Sequence, residues 1–297
     1  MDQHNPQWSY SSHQENELSL VKDLKLPSCY SNPKSIDSWI HNRMFLTIDP
    51  LIHHFPQATW ITIGDGKYGT DAYYLETKGL NVLATSLTDA TLVIANQKGY
   101  IKNFRAENAE KISAPNNSFD FVLCKESYHH FPRPSVAFYE MLRIAKKAVI
   151  LIEPIEEKKI LDNLKTIIKK TIRRDKSTLF EPSGNFIYRI NISEIEKMLT
   201  ALNYHSFAVK KFNFFYHPKI SCQKYRDFSI ATIFTKLGIV VQDILSFLRV
   251  LSYGVAAIII FKETPSKNLI NEMQKKGFYF VTLPTNPYLV SGAKRDQ

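Results

Sequence analysis

Between residues 59 and 154, short apolar runs alternate with stretches of helical periodicity, and this alternation limits the fold more than any other feature of the chain. The runs 59–63, 81–85, 100–106, 119–124 and 148–153 read as strands. The segments 70–78, 90–98 and 135–145 read as helices between them. Strands joined through helices need crossover connections, and these build a parallel sheet covered on both faces. The pattern therefore predicts an α/β, doubly wound, mostly parallel sheet.

The flanks are less regular. Residues 1–35 are rich in Asn, Gln, Ser and His with little periodicity, so they are expected to form a loose arm with at most a turn of helix near Glu15 to Asp23. Trp39, Ile40, Met44, Ile48, Leu51 and Ile52 recur at helical spacing over 36–55, a helix that Pro50 interrupts. Beyond Pro154, residues 158–176 place Ile and Leu on one face and eight Lys and Arg on the other. Ser193 and Glu196 fit a capping box opening a helix to 202. Strands are expected at 206–216, 254–262 and 278–283, and helices near 230–251 and 266–276. No repeat or linker divides the 297 residues. The expected organisation is the arm 1–35, one α/β domain over 36–216 and 254–290, and a helical insertion, 217–253, acting as a lid or a dimer surface.

Composition excludes several classes. With 44% hydrophobic and 22% charged residues the chain is globular. Three scattered cysteines, Cys29, Cys124 and Cys222, write neither a disulfide framework nor a zinc site, which fits a reducing cytoplasm. The N-terminus carries no apolar signal region. The apolar run 250–261 is 12 residues long, short of the ~20 of a bilayer span, so a soluble protein is expected. Lys and Arg number 38 against 28 Asp and Glu, a net charge of +10 that favours anionic partners such as an acidic small molecule. The basic helix is by default a solvated face, with peripheral contact to anionic lipid as the sharper reading. Nucleic acid is not expected: that helix lacks stacking aromatics, and no zinc-finger or RNP pattern occurs.

Two blocks carry chemistry. Gly64-Asp65-Gly66-Lys67-Tyr68-Gly69 follows a strand and opens a helix. Glycines there permit a tight turn and close approach of a ligand to the backbone. A turn without ligand gives the same pattern. Asp65 would repel a pyrophosphate but suits an ammonium or sulfonium, and the second strand ends Ala84-Thr85-Ser86, without the acid of a dinucleotide site. The second block runs Glu107-Asn108-Ala109-Glu110, then Phe119 to Cys124, then Lys125-Glu126-Ser127-Tyr128-His129-His130, with Glu153-Pro154 closing the fifth strand.

On these residues, 59–154 resembles the class I S-adenosylmethionine-dependent methyltransferases, in particular their small-molecule branch. The resemblance implies a seven-stranded Rossmann-like sheet, S-adenosylmethionine as cofactor, and methyl transfer to a small molecule such as a glycan or secondary metabolite. It implies that Gly64, Asp65 and Gly66 line the methionine part of the cofactor, that Asn108 meets the adenine, that Ser86 stands at the ribose position, and that Lys125 and Glu126 lie at the ligand-binding edge. The chain departs from the family pattern at Thr62 and Ser86, where acids are usual, and at Tyr68, where glycine is frequent. His129, His130 and Glu126 are the candidate bases, with Tyr128 competing, although methyl transfer also proceeds by positioning alone. No metal constellation is visible. A non-catalytic binding protein on the same fold and a nicotinamide-dependent oxidoreductase are the alternatives.

Overall fold

A computed structural model describes residues 6–24, 26–157, 180–181 and 185–289. The basic segment 158–176 lies outside the described residues. Four β-branched and aromatic runs form the parallel half of the sheet: β1 (Thr59–Ile63), β2 (Asn81–Ser86), β3 (Asn103–Ala106) and β4 (Phe119–Lys125), with β5 (Ala145–Pro154) parallel to β4. Then β6 (Ser206–Phe212), β7 (Val255–Phe261) and β8 (Tyr279–Thr282) complete the order β3-β2-β1-β4-β5-β7-β6-β8. β7 is antiparallel to both β5 and β6, and β8 is antiparallel to β6. The sheet thus has one strand more than the seven expected, because the terminal run at 279–282 pairs along the free edge of β6.

Along the chain the helices are α1 (Gln7–Asp23), α2 (Ser28–Ser31), α3 (Ile36–Phe45), α4 (Asp49–His54), α5 (Thr70–Thr77), α6 (Ala90–Gln97), α7 (Pro134–Ile144), α8 (Ile192–Ala201), α9 (Pro218–Ser221), α10 (Ile230–Phe247) and α11 (Lys267–Lys275). The helix expected over 36–55 is broken at 46–48, and Pro50 sits in the first turn of α4, where its missing N–H costs nothing. The capping box expected at Ser193 is replaced: the Asn191 side chain caps α8, accepting from Ser193 N–H at 2.9 Å.

The two sheet faces bury separate clusters. One joins the sheet to α3–α6 and α11 through Ile36, Met44, Leu75, Leu92 and Met273. The other joins it to α7 and α8 through Phe138, Met141, Ile195 and Leu199. Fully burying side chains of this size contributes ~1.5–3 kcal/mol each.

Two flanking elements differ from expectation. The arm 1–35 is not loose, for α1 alone has 17 residues. Among the described residues α10 is long and apolar enough to cross a bilayer, with mean hydropathy 1.5 and 22% of it buried. Ile230, Ile233, Leu237, Val240, Ile244 and Phe247 form an exposed row on it.

Candidate active site

A cavity of about 1160 Å³ opens at the carboxyl ends of β1, β2 and β4, where open α/β sheets bind ligands. Gly64, Asp65, Gly66, Ser86, Asn108, Lys125, Glu126 and His130 all line it, so the sheet gathers eight of the nine expected site residues. His129 is not among its lining residues. The roof is α1, through Tyr10, His13, Asn16, Glu17 and Leu20, and one wall comes from α2 and α3. From 217–253, Tyr225 is the described residue on the lining.

The glycine loop is built by steric exclusion. Gly64 has φ +74°, and a Cβ there would fall 2.6 Å from Ser127 Cβ. Ser127 Oγ donates to the Gly64 carbonyl at 2.8 Å, tying the loop to the end of β4. Asp65 faces inward: its Oδ1 accepts from Asp71 N–H at 3.1 Å, and its Oδ2 accepts from Ala72 N–H at 2.9 Å and Thr62 Oγ1 at 3.0 Å. Its carboxylate therefore caps α5, and Thr62, where the resembled family has an acid, donates to it. Burial, and then the neighbouring Asp71, raise the Asp65 pKa well above the ordinary carboxylate value. Burial raises that of Asp71 also.

Lys125 and Glu126 are committed to one another. Lys125 Nζ lies 2.9 Å from Glu126 Oε2 and 3.4 Å from Asp71 Oδ1, and Glu126 Oε2 lies 3.2 Å from His41 Nδ1. Burial opposes charge on Glu126, but Lys125 and His41 override it and hold the carboxyl well below the usual range. A carboxylate held so firmly ionised is a weak proton acceptor, which argues against Glu126 as the base. Lys125, opposed by burial but flanked by Asp71 and Glu126, stays charged and offers the cavity little free positive potential.

The histidine pair divides, as adjacent residues on a tight turn must. His129 turns away from the cavity, and its Nδ1 is 2.7 Å from Glu153 Oε2. Glu153 is fully buried and its Oε1 also accepts from Ser127 N–H and Tyr128 N–H at 2.8 and 2.9 Å. Glu153 is thus the cap of the 127–130 turn. Burial lowers the His129 pKa, but the bond to Glu153 outweighs it and the net shift is upward. His130 lines the cavity, with Nδ1 2.8 Å from Glu181 Oε2, close but not aligned as a hydrogen bond. Tyr128 is buried away from the cavity and its hydroxyl pKa is raised by burial.

Sequence reasoning missed several lining groups. Glu17, Tyr10 and His13 sit in the arm, and Asp71 was hidden inside a helix. Glu181, 51 residues past His130, meets it only in the fold; ligand atoms of His129, His130 and Glu181 come within 4.8 Å of one another. The low apolar content of α1 carried no signal, whereas the acids in the first turn of a helix after a glycine loop could have flagged Asp71.

A family model described as a methyltransferase domain matches residues 61–152, the stretch from β1 to β5 that carries the glycine loop and both histidines. Residues 61–152 thus match a methyltransferase domain, in keeping with the class I family that the sequence resembles. S-adenosylmethionine is the cofactor of that class. No curated protein matches the chain in sequence. Among solved structures, the YcgJ protein of Bacillus subtilis is 17% identical, covering 74% of this chain and 100% of its own, with a TM-score of 0.49. A S-adenosylmethionine-dependent methyltransferase of Thermotoga maritima is 15% identical, covering 86% and 100%, with a TM-score of 0.49. The magnesium protoporphyrin IX methyltransferase of Synechocystis, solved with S-adenosylhomocysteine, is 14% identical, covering 75% and 82%, with a TM-score of 0.46.

The methyltransferase domain depends on Gly64 in a way a single methyl tests. Gly64→Ala places a Cβ in the left-handed region, at ~1–2 kcal/mol, and drives it into Ser127. The expected result is a fall of several degrees in melting temperature together with loss of S-adenosylhomocysteine binding in calorimetry. An unchanged titration would show that the loop does not hold the ligand.

Proposed function

We propose that the protein is an S-adenosylmethionine-dependent methyltransferase acting on a small molecule. The observation that carries this reading is the charge of the cavity in the methyltransferase domain. Among its described lining residues eight are Asp or Glu and three are Lys; Lys125 pairs with Asp71 and Glu126, and Arg105 and Arg133 pair with Glu107 and Glu110, which leaves carboxylates in excess of cations. Carboxylates gathered around a glycine loop would repel a pyrophosphate and attract a cation. S-adenosylmethionine fits that field: bound there, it supplies an electrophilic methyl on a sulfonium and leaves as S-adenosylhomocysteine. The same charge turns the acceptor away from the acidic molecule that the overall +10 suggested, toward a neutral or cationic one.

The cavity also exceeds the ~300–1,000 Å³ of a single drug-sized ligand, which supports cofactor and acceptor side by side under α1. In this reading Gly64 and Gly66 seat the cofactor, Asn108 faces its base, and His130 takes the proton released by an oxygen or nitrogen acceptor, with Glu181 beside it to stabilise the imidazolium. Roofing by α1 excludes water. Cytoplasmic residence belongs to the proposal, supported by three free cysteines. So does a homodimer, supported by the exposed row of α10.

Calorimetry with S-adenosylhomocysteine, and separately with a reduced nicotinamide dinucleotide, tests the reading. Micromolar binding of the first and none of the second is the expected outcome. No binding of S-adenosylhomocysteine at millimolar concentration would favour a non-catalytic protein on this fold.

A further inference from the structure

We propose that Glu17, carried on the roofing helix α1, is the carboxylate that accepts hydrogen bonds from the ribose hydroxyls of the cofactor, in place of an acid at the end of β2. The inference rests on the S-adenosylmethionine reading above. A nucleoside seated on the glycine loop of an open α/β sheet brings its sugar over the end of the second strand, where a carboxylate accepts from it. That strand ends here in Ser86, which is neutral. Asp89, the next acid along the chain, is at the N-cap position of α6 and does not line the cavity.

Glu17 fills the gap from 69 residues earlier in the chain. Its Oε1 accepts from Ser86 Oγ at 2.6 Å, and its Oε2 accepts from Thr88 Oγ1. Its Oε1 also lies 2.7 Å from the point a Cβ on Gly66 would occupy, so it stands directly over the loop. Two hydroxyls and the Thr88 backbone N–H draw on the roughly four acceptor sites of a carboxylate, which leaves capacity for a ligand hydroxyl. The placement is costly otherwise. Among the described residues Glu17 forms no ion pair, and burial raises its pKa. A buried charge supported only by neutral donors gives up solvation without a counter-ion, and ligand hydroxyls with a sulfonium nearby would offset that loss.

The rest of α1 agrees. Tyr10, His13, Glu17 and Leu20 follow one another at helical spacing along the cavity side. Tyr10 donates to Glu110 at 2.7 Å, Tyr68 donates to the Leu20 carbonyl at 2.7 Å, and Ser9 donates to Asn185 at 2.7 Å. These contacts fix the height and rotation of the helix, and with them the position of the carboxylate.

The test is a calorimetric cycle with wild type and Glu17→Gln, each titrated with S-adenosylhomocysteine and with its 2′-deoxyribose analogue. A charge-assisted hydrogen bond predicts that the substitution weakens the parent ligand about 10- to 100-fold and the deoxy analogue by distinctly less. A thermal melt without ligand runs alongside. Because the substitution removes a buried unpaired charge, the variant should melt at or above the wild-type temperature at neutral pH, which a purely structural glutamate would not allow. Parent affinity equal to wild type, or equal losses for both ligands, would overturn the proposal. Failure of wild type to bind S-adenosylhomocysteine at all would instead remove the methyltransferase reading.

Discussion

Glu153→Ala should cost the protein on the order of 3–5 kcal/mol of stability, the range found when one partner of a buried charged pair is removed. Three groups converge on this fully buried carboxylate: His129 Nδ1 at 2.7 Å and the backbone N–H groups of Ser127 and Tyr128. Alanine strands all three in an apolar setting beside Cys124, whose Sγ lies 3.8 Å from Glu153 Oε1. At ~2–4 °C per kcal/mol for a chain of this size, the melting temperature should fall on the order of 10 °C. Glu153→Gln keeps an acceptor for the N–H groups and should lose clearly less. The pH dependence has a definite sign. The folded pKa of His129 is raised above its unfolded value of ~6.5 by the bond to Glu153. That part of the stabilisation is fully present below about pH 6.5 and disappears as pH rises through the higher folded pKa. The gap between wild-type and Glu153→Ala melting temperatures should therefore narrow with rising pH. A gap that widens would mean that His129 is not charged through this pair.

Where each acid stands explains what was legible in the sequence. The strands β1, β2, β4 and β5 were readable because the sheet buries most of their residues, and burial on both faces writes a continuous apolar run, whereas the edge strand β3 is largely exposed and reads more weakly. The glycine loop was readable because positive φ at Gly64 and the close approach of Ser127 leave no other residue that fits. The acids were not, since a carboxylate is placed by the fold and not by the strand that precedes it. Thr62 and Ser86 looked like losses at two ligand-binding positions. In the structure Thr62 donates to Asp65, three residues on, and Ser86 donates to Glu17, on a helix outside the sheet. Asp65 does occupy the loop as expected, but its oxygens serve the N-terminus of α5 and not the ligand directly. Helix α1 escaped notice for a related reason. Hydrophobic periodicity marks a helix that packs on a core, and the inward face of α1 faces the cavity with the polar side chains Tyr10, His13 and Glu17. The missed capping box has a smaller cause: Asn191 lies two residues ahead of Ser193 and captures its N–H first. In the proposed reading the global charge is a poor guide to the acceptor, because ligand preference follows the field inside the cavity and not the charge of the whole chain.

His130→Gln should lower kcat about 10²- to 10⁴-fold, the range for loss of a general base, with little change in affinity for S-adenosylhomocysteine. Elimination and geometry lead to the same residue. Glu126 is locked as an anion between Lys125 and His41. His129 is absent from the described cavity lining and bound to Glu153. Tyr128 is buried with its hydroxyl pKa raised. His130 remains on the lining, with Glu181 at 2.8 Å and the ring of His13 at 5.5 Å between centroids. Glu181, although opposed by burial, is held below its ordinary pKa by His130, His129 and His13, so it stays negative and favours the protonated imidazole that proton abstraction creates. Steady-state kinetics with an accepted substrate, in the presence and absence of a chelator, separates three cases. A large loss in the variant with wild type indifferent to chelator assigns the base. Full activity in the variant leaves methyl transfer to in-line positioning alone. Loss of wild-type activity on chelation, restored by a divalent ion, would mean that His129, His130 and Glu181, whose ligand atoms lie within 4.8 Å, hold a cation in place of moving a proton.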